Sequence, residues 1–225
     1  YIYPVTSAPI KNGILIISDE GEILEIINNN GDLKEVSGLE FYNGIIVPGF
    51  INTHCHLELS HMKGKMTNLN HLPEFIEKIL KLKKELKFDS HAAILADKQM
   101  YENGIVAVAD ISNTNDTVKI KQNSKIFYHT FIELFSIDYT KNKEIIETGL
   151  KLKQEFGENS TIVPHAPYST NSDLLEKIKL ISEKNNDLYS IHNQETKSEN
   201  TLFIKKQGEL YELFKSLNSD MSWLN

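Results

Sequence analysis

Arginine is absent from this chain of 225 residues, because all 24 of its basic side chains are lysines. The planar fork of arginine is the usual grip on phosphate and carboxylate groups. A highly anionic ligand must therefore be held by lysine, by backbone amides or by residues outside this sequence. The net charge is −7 and the lysines are spread along the chain. This pattern argues against a nucleic-acid partner or an anionic membrane surface.

Cysteine and long hydrophobic runs are also scarce. The single cysteine, Cys55, excludes an intrachain disulfide framework and is typical of a reducing compartment. No apolar run approaches the roughly 20 residues of a membrane helix, and no secretory signal pattern is recognised. The chain opens on Tyr1 rather than on methionine, which is consistent with missing preceding residues. We therefore predict a cytoplasmic protein without a membrane partner.

Two histidines end the apolar run Val-Pro-Gly-Phe-Ile-Asn-Thr-His-Cys-His at 47–56. Side chains alternate across a strand, so His54 and His56 share one face while Cys55 points to the other. Two neutral imidazoles that converge from one strand end can bind a divalent transition metal. The alternative is a solvated polar strand end, but the Pro-Gly turn before the strand and the histidines at later strand ends favour a metal site.

Residues 1–48 have the pattern of short strands and turns. Two apolar segments, 13–17 and 23–27, flank Ser-Asp-Glu-Gly at 18–21, which indicates a hairpin. The sequence therefore predicts a small β-sandwich-like domain over 1–48, followed by a second domain over 49–225.

The second domain alternates apolar strands with amphipathic helices. Strands are predicted at 50–56, 105–110, 125–134, 161–164 and 188–192, and helices at 73–86, 91–103, 143–156 and 172–185. A further helical pattern at 199–217 is interrupted by Gly208. Alternation of this kind predicts an α/β fold with parallel βαβ units, and several units in series favour a (β/α)8 TIM-type barrel. About five of its eight units are present. An open doubly wound sheet is the alternative, although no glycine-rich phosphate loop supports it.

Further histidines lie at the predicted carboxyl ends of later strands, where a barrel places its chemistry. His165 follows the fourth strand within Pro-His-Ala-Pro-Tyr at 164–168. His192 ends the fifth strand within Ile-His-Asn-Gln-Glu-Thr at 191–196, with Glu195 three residues beyond it. One such histidine is usually a satisfied polar residue, but three such sites in one chain favour a common centre.

Together the segments 48–56, 164–168 and 191–196 resemble the amidohydrolase superfamily. They are most similar to its aminohydrolase branch, which includes guanine, cytosine and methylthioadenosine/S-adenosylhomocysteine deaminases and triazine chlorohydrolases. The resemblance implies that His54, His56 and His192 are metal ligands for one divalent ion, zinc or alternatively iron. It further implies that Glu195 is the catalytic acid/base and that His165 contacts the substrate.

The implied activity is a metal-dependent hydrolase that deaminates an amino-substituted heterocycle of purine, nucleoside or pterin type. A metal lowers the pKa of bound water from about 15.7 to about 7, and the resulting hydroxide attacks the ring carbon. A carboxylic acid must then protonate the departing amine, which suits Glu195. The alternative for Glu195 is a helix N-terminal acid stabilised by the helix dipole.

The loop that leaves the first metal strand carries two more candidates for substrate contact. Glu58 and His61 lie in His-Leu-Glu-Leu-Ser-His at 56–61, and the alternative is that both are polar loop groups. The spacing His54-x-His56-x-Glu58 resembles that of aminodeoxyfutalosine deaminases. That resemblance implies a purine nucleoside as the substrate.

Two other readings of the same scaffold stay open. Hydrolytic dechlorination or cyclic amide hydrolysis uses the same hydroxide, and a catalytically incomplete fragment could bind metal or a small molecule without turnover. Family members add a further histidine and an aspartate ligand from later strands, and neither has a counterpart in this chain. The resemblance therefore implies an N-terminal portion, inactive by itself, of a longer protein that by analogy is a homo-oligomer.

Overall fold

The first fifty residues form a unit of their own, and residues 51–225 form the second. The computed structural model describes residues 1–28, 30, 37–67 and 69–217. In the first unit β1 (Ile14–Ile17) and β2 (Ile23–Ile27) pair antiparallel, which confirms the predicted hairpin. The described part of this unit holds one two-stranded sheet rather than two stacked ones, because its other pairings are isolated bridges. The sandwich-like arrangement of this domain stays a prediction.

The second unit alternates strands and helices. In chain order its elements are β3 (Phe50–Cys55), α1 (Leu72–Glu85), α2 (Ser90–Glu102), β4 (Ile105–Ser112), α3 (Val118–Gln122), β5 (Phe127–Leu134), α4 (Asn142–Phe156), β6 (Ser160–Pro164), α5 (Ser172–Asn185), α6 (Lys197–Lys205) and α7 (Glu209–Ser216). Short 3-10 turns follow β3 at Leu57–Met62 and precede α4 at Tyr139–Lys141. The predicted α/β class is confirmed.

One four-stranded sheet organises this unit, in the spatial order β3-β4-β5-β6. The β4-β5 and β5-β6 pairs are parallel, so their carboxyl ends meet at the same edge. Every residue of β6 is buried, as is most of β5. Ile132 and Ile162 of these strands pack with Leu174 and Ile178 of α5, which covers one face of the sheet.

Local chemistry fixes where the helices begin. The Asp89 side chain accepts hydrogen bonds from the backbone amides at the start of α2, and Asn171 does the same for α5 at Leu174. Helix α5 begins at Ser172 as predicted. Gly208, with a φ of 101°, separates α6 from α7, which confirms the predicted interruption. None of the described helices has both the length and the apolar character needed to cross a bilayer.

The predicted strand at 188–192 is wrong. This segment lies outside the sheet, and its His192 amide donates one backbone hydrogen bond, at 2.9 Å, to the carbonyl of His165 just after β6. A single bond does not make a strand ladder, which requires repeated pairing along both backbones. Helix α3, between β4 and β5, was not predicted.

Candidate functional site

Strand β3 brings its two histidines to one side of the sheet edge. The ring centroids of His54 and His56 lie 5.1 Å apart at an interplanar angle of 71°. Cys55 points the other way and packs in the core cluster around Leu57 and Val108. The alternation expected of a strand thus separates the two imidazoles from the thiol.

His192 joins this pair although its segment is not a strand. Its ring centroid lies 4.9 Å from that of His54 and 5.3 Å from that of His165. The His165 backbone amide donates to the Leu134 carbonyl at 3.0 Å, which fixes the turn that leaves β6. Four imidazoles from three segments therefore lie in one cluster, and the structure brings together all the histidines of the predicted centre.

The cluster also contains a carboxylate that the sequence analysis did not identify, that of Glu133. Ligand atoms of Glu133, His165 and His192 all lie within 4.8 Å of one another, a spacing that a metal ion can bridge. Glu133 occupies the carboxyl end of β5 and is 8% exposed. Burial raises the pKa of Glu133 to about 7. The sequence feature that could have indicated Glu133 is an acidic residue near the end of an otherwise apolar strand.

Burial keeps three of the imidazoles neutral. It lowers the pKa of His56 to about 3 and that of His165 to about 4, and it also lowers the pKa of His54. A neutral imidazole has a free lone pair, which is the form that binds a metal. The Nδ1 atom of His56 is buried and has no hydrogen-bond partner among the described residues. These nitrogens have the character of metal ligands.

Glu195 is held next to the imidazoles by two side chains. Its Oε2 lies 3.3 Å from His192 Nδ1, and its Oε1 accepts a hydrogen bond from the Tyr168 hydroxyl at 2.7 Å. The hydrogen bond to His192 lowers the pKa of Glu195, and the same bond raises the pKa of His192. The carboxylate is therefore ionised and oriented towards the cluster. Tyr168 lies within a recognised motif, but the sequence assigned it no role.

The backbone around Glu195 is set by the start of α6. Thr196 caps the helix by accepting from the Glu199 amide at 3.3 Å, and the Glu199 carboxylate accepts from the Glu195 amide at 2.9 Å. This arrangement resembles the capping box, in which the third residue of a helix reaches back to its start. Gln194 has a φ of 55°, which turns the chain between His192 and the helix.

Glu58 is buried rather than free in a loop. Its Oε2 accepts from the Asn113 amide at 3.0 Å and from both the amide and hydroxyl of Thr114 at 3.2 Å. These bonds connect the turn after β3 to the segment after β4. All three donors bind the same oxygen of Glu58, and none of them is a substrate. The predicted substrate contact of Glu58 therefore stays a prediction.

His61 lies beside a neighbouring pocket. Together with His56 it lines a cavity of about 330 Å³ between the turn after β3 and α2. Its ring meets Phe88 edge-on at 6.3 Å, and its buried Nδ1 has no partner among the described residues. The predicted substrate contact of His61 also stays a prediction.

Similarity to known proteins agrees with this geometry. The model of the amidohydrolase family matches residues 45–219. The chain belongs to the amidohydrolase family. The resemblance predicted from the three motifs is thus confirmed.

Relatives and solved structures of this family extend the comparison. A 5'-deoxyadenosine deaminase of Methanosarcina acetivorans is 27% identical over 217 residues, which cover 89% of this chain and 48% of the relative. The Helicobacter pylori aminofutalosine deaminase in complex with methylthio-coformycin superposes with a TM-score of 0.77 at 20% identity, covering 93% of this chain and 52% of that one.

A Xanthomonas campestris adenosine deaminase with bound zinc gives a TM-score of 0.68 at 13% identity, covering 96% of this chain and 53% of that one. The amidohydrolase chain described here therefore spans about half the length of the proteins it matches.

Proposed function

We propose that the intact protein is a metal-dependent hydrolase that deaminates an adenosine-like nucleoside. The observation that carries the proposal is the position of Glu195, ionised and oriented by Tyr168 and His192 beside a cluster of neutral imidazoles. The substrate class is supported by the relatives, which are named as deaminases of 5'-deoxyadenosine and of aminofutalosine.

The residues of the cluster fit a divalent ion. His54, His56 and His192 are the proposed ligands, and the buried Nδ1 of His56, which has no hydrogen-bond partner among the described residues, supports this assignment. The ligand atoms that lie within 4.8 Å of one another belong to Glu133, His165 and His192, which are the alternative ligand set. Zinc is the proposed ion, because imidazole nitrogen suits it and because a structural neighbour has zinc bound. When bound, the ion acts as a Lewis acid that lowers the pKa of a water molecule to about 7.

Proton movement is the proposed task of Glu195. In deamination a water adds across a ring C–N bond, and the departing amine must gain a proton before it leaves as ammonia. A carboxylate next to the reacting carbon accepts the proton of the water and delivers it to that nitrogen. Tyr168 binds Oε1 of Glu195, and Oε2 lies next to His192. Oε2 is therefore the oxygen proposed to transfer the proton.

His165 is proposed to contact the substrate rather than the ion. Its Nδ1 is hydrogen-bonded to Ser169, and the Tyr168 ring meets it nearly perpendicularly at 5.6 Å. These contacts fix the orientation of the imidazole. A neutral His165 can then donate or accept one hydrogen bond at the edge of the heterocycle.

The complete fold is proposed to be a (β/α)8 barrel to which this chain contributes about the first five units. The parallel sheet and the family support this proposal. Because the chain spans about half of its relatives, the remaining strands and a further acidic ligand are proposed to come from sequence outside the 225 residues. A homo-oligomeric state and a cytoplasmic location stay predictions.

The test is ammonia release from adenosine and 5'-deoxyadenosine by the intact, zinc-loaded protein. We expect Glu195→Gln to lower kcat by about 100-fold or more while the zinc content is unchanged, since positioned acid–base groups contribute at least this factor. Glu183→Gln, an exposed glutamate on α5 paired with Lys179, is the matched control. Full activity in Glu195→Gln would refute the proposed role. Chloride release from 6-chloropurine riboside, without ammonia release from adenosine or 5'-deoxyadenosine, would favour dechlorination.

A further inference from the structure

Glu199 is a buried acidic residue that the proposed reaction does not use. It is 1% exposed and lies in the first turn of α6. Its Oε2 accepts a hydrogen bond from the backbone amide of Glu195 at 2.9 Å. Burying a carboxyl group is costly unless its oxygens are hydrogen-bonded. Here the bond is made to the residue that is proposed to move the proton.

This bond departs from the ordinary capping box by one residue. In that motif the third residue of a helix binds the backbone amide of the capping residue itself. The capping residue of α6 is Thr196, because its hydroxyl accepts from the Glu199 amide at 3.3 Å. Glu199 instead binds the amide of the residue before the cap, Glu195. The start of the helix is thus joined to the proposed acid/base.

The turn next to this bond has an unfavourable conformation. Gln194 has a φ of 55°, in the left-handed region that residues other than glycine rarely adopt. Such a conformation persists only where the surrounding contacts determine it. The bond from the Glu195 amide to Glu199 is one of these contacts and comes directly after the turn. Without it, we expect the turn to relax and the Glu195 side chain to change direction.

The same face of α6 also supports the side chain of Glu195. Leu202 is fully buried and lies three residues after Glu199, so the two side chains share a helix face. Leu202 packs in the cluster that contains Tyr168 and Phe214. The Phe214 ring lies 6.2 Å from that of Tyr168, and the Tyr168 hydroxyl donates to Glu195 Oε1. This face of α6 therefore holds Glu195 twice, directly at its backbone and through Tyr168 at its carboxylate.

We propose that Glu199 is a positioning residue for the proton transfer, because its bond to the Glu195 amide fixes the direction of the Glu195 carboxylate. This inference rests on the proposed function and adds a residue to the same site. Glu199 acts through Glu195 rather than on the substrate. A displacement of about 1 Å in an active site can cost about 100-fold in rate. Loss of the bond is therefore expected to lower kcat and to leave KM almost unchanged.

The experiment compares two substitutions of Glu199 in the intact, zinc-loaded protein, with adenosine as the substrate. Glu199→Ala removes the acceptor, and we expect about a tenfold loss of kcat, a change in KM below about twofold and an unchanged zinc content. Glu199→Gln keeps an acceptor oxygen and therefore most of kcat. The matched control is Asp89→Ala, which removes the side chain that accepts from the His91 amide at the start of α2. This control lowers the urea midpoint of unfolding without changing kcat.

Relief of the strain at Gln194 separates positioning from stability. Gln194→Gly removes the conformational cost of a positive φ, so adding it to Glu199→Ala raises the urea midpoint. We expect kcat of this double variant to stay low relative to Gln194→Gly alone, because the Glu195 amide still lacks its acceptor. Recovery of kcat together with stability would overturn the inference, because a purely structural role predicts that result.

Amide hydrogen exchange separates this inference from the proposed function, since it needs no turnover. We expect the Glu195 amide to exchange about tenfold faster in Glu199→Ala and to stay protected in Glu199→Gln. If the wild type releases no ammonia but this difference is seen, the deaminase proposal fails and the anchoring of Glu195 by Glu199 stands. If ammonia is released and Glu199→Ala keeps full kcat, the positioning role fails alone. Equal exchange at Glu195 in the wild type and in both variants overturns the anchoring itself.

Discussion

Asp110 at the end of β4 offers the sharpest test of how the site is supported. It is fully buried and accepts hydrogen bonds from the Leu57 amide at 2.7 Å and from Ser112 at 3.2 Å. It also forms an ion pair with Lys121 Nζ at 2.6 Å. Because Leu57 directly follows His56, Asp110 fixes the backbone that carries one of the proposed metal ligands.

The size of the effect follows from the burial of both charges. The Lys121 side chain is 5% exposed. When the carboxylate is removed, it keeps neutral contacts with the hydroxyls of Ser112 and Thr130 and with the rings of Tyr128 and Phe156. An uncompensated buried charge costs about 3–5 kcal/mol. In Asp110→Ala the Leu57 amide also loses its acceptor, which adds about 1–3 kcal/mol. The total approaches the whole stability of many domains, about 5–15 kcal/mol.

Less disruptive substitutions keep the protein folded and measure the contribution of the charge on Asp110. Asp110→Asn retains an acceptor for Leu57 and is expected to lose about 2–4 kcal/mol in urea unfolding. Adding Lys121→Met removes the unpaired charge, so we expect the double variant to be more stable than Asp110→Asn alone. The matched surface control is Glu183→Gln, whose 3.6 Å pair is largely exposed and worth less than about 1 kcal/mol.

Two results would refute this reasoning. One is a loss below about 1 kcal/mol in Asp110→Asn, which would mean that water or rearrangement compensates Lys121. The other is strict additivity in the double variant, since contacting groups in one network couple by about 0.5–3 kcal/mol. Zinc titration of the same proteins tests the connection to His56, and we expect weaker binding in Asp110→Asn.

Three further changes have defined outcomes. Tyr168→Phe removes the hydroxyl bound to Glu195, so we expect about a tenfold loss of kcat at constant zinc content; unchanged kcat would contradict this. Gly149→Ala puts a Cβ 2.8 Å from Leu134, and we expect a net loss of about 1–2 kcal/mol in urea, despite the better helix propensity of alanine; a stabilised variant would mean that Leu134 moves aside. Burial lowers the pKa of His129. The unfolded state, with a histidine pKa of about 6.5, therefore binds more protons, and stability falls from pH 7 to pH 5. We expect His129→Gln to make that fall shallower in urea midpoints; identical pH profiles would exclude the effect.

Local pattern was sufficient for most of the fold. The helices of the second unit begin and end close to the predicted positions because their caps and amphipathic spacing are local properties, as at Asn171 and α5. Helix α3 was missed because its five residues are too short for a periodic signal. The segment at 188–192 has an apolar strand pattern. A strand also needs a neighbouring backbone with which to form hydrogen bonds, and a local stretch of sequence does not show whether one is present.

The candidate site divides in the same way. His54, His56, His165, His192 and Glu195 were predicted because each lies in a motif of a few residues, and the structure brings them together. Their chemical roles stay proposals. Glu133 and Tyr168 were not predicted as site residues, because their contacts join segments about 30 residues apart and depend on how strands align at one edge.

The residues that the motifs did not identify have a property in common. Asp110, Asn113 and Glu133 lie at the ends of adjacent parallel strands or just beyond them, and each contacts a group from another segment of the site. A metal centre needs ligands held in fixed geometry, so the polar groups between its ligands matter nearly as much as the ligands themselves.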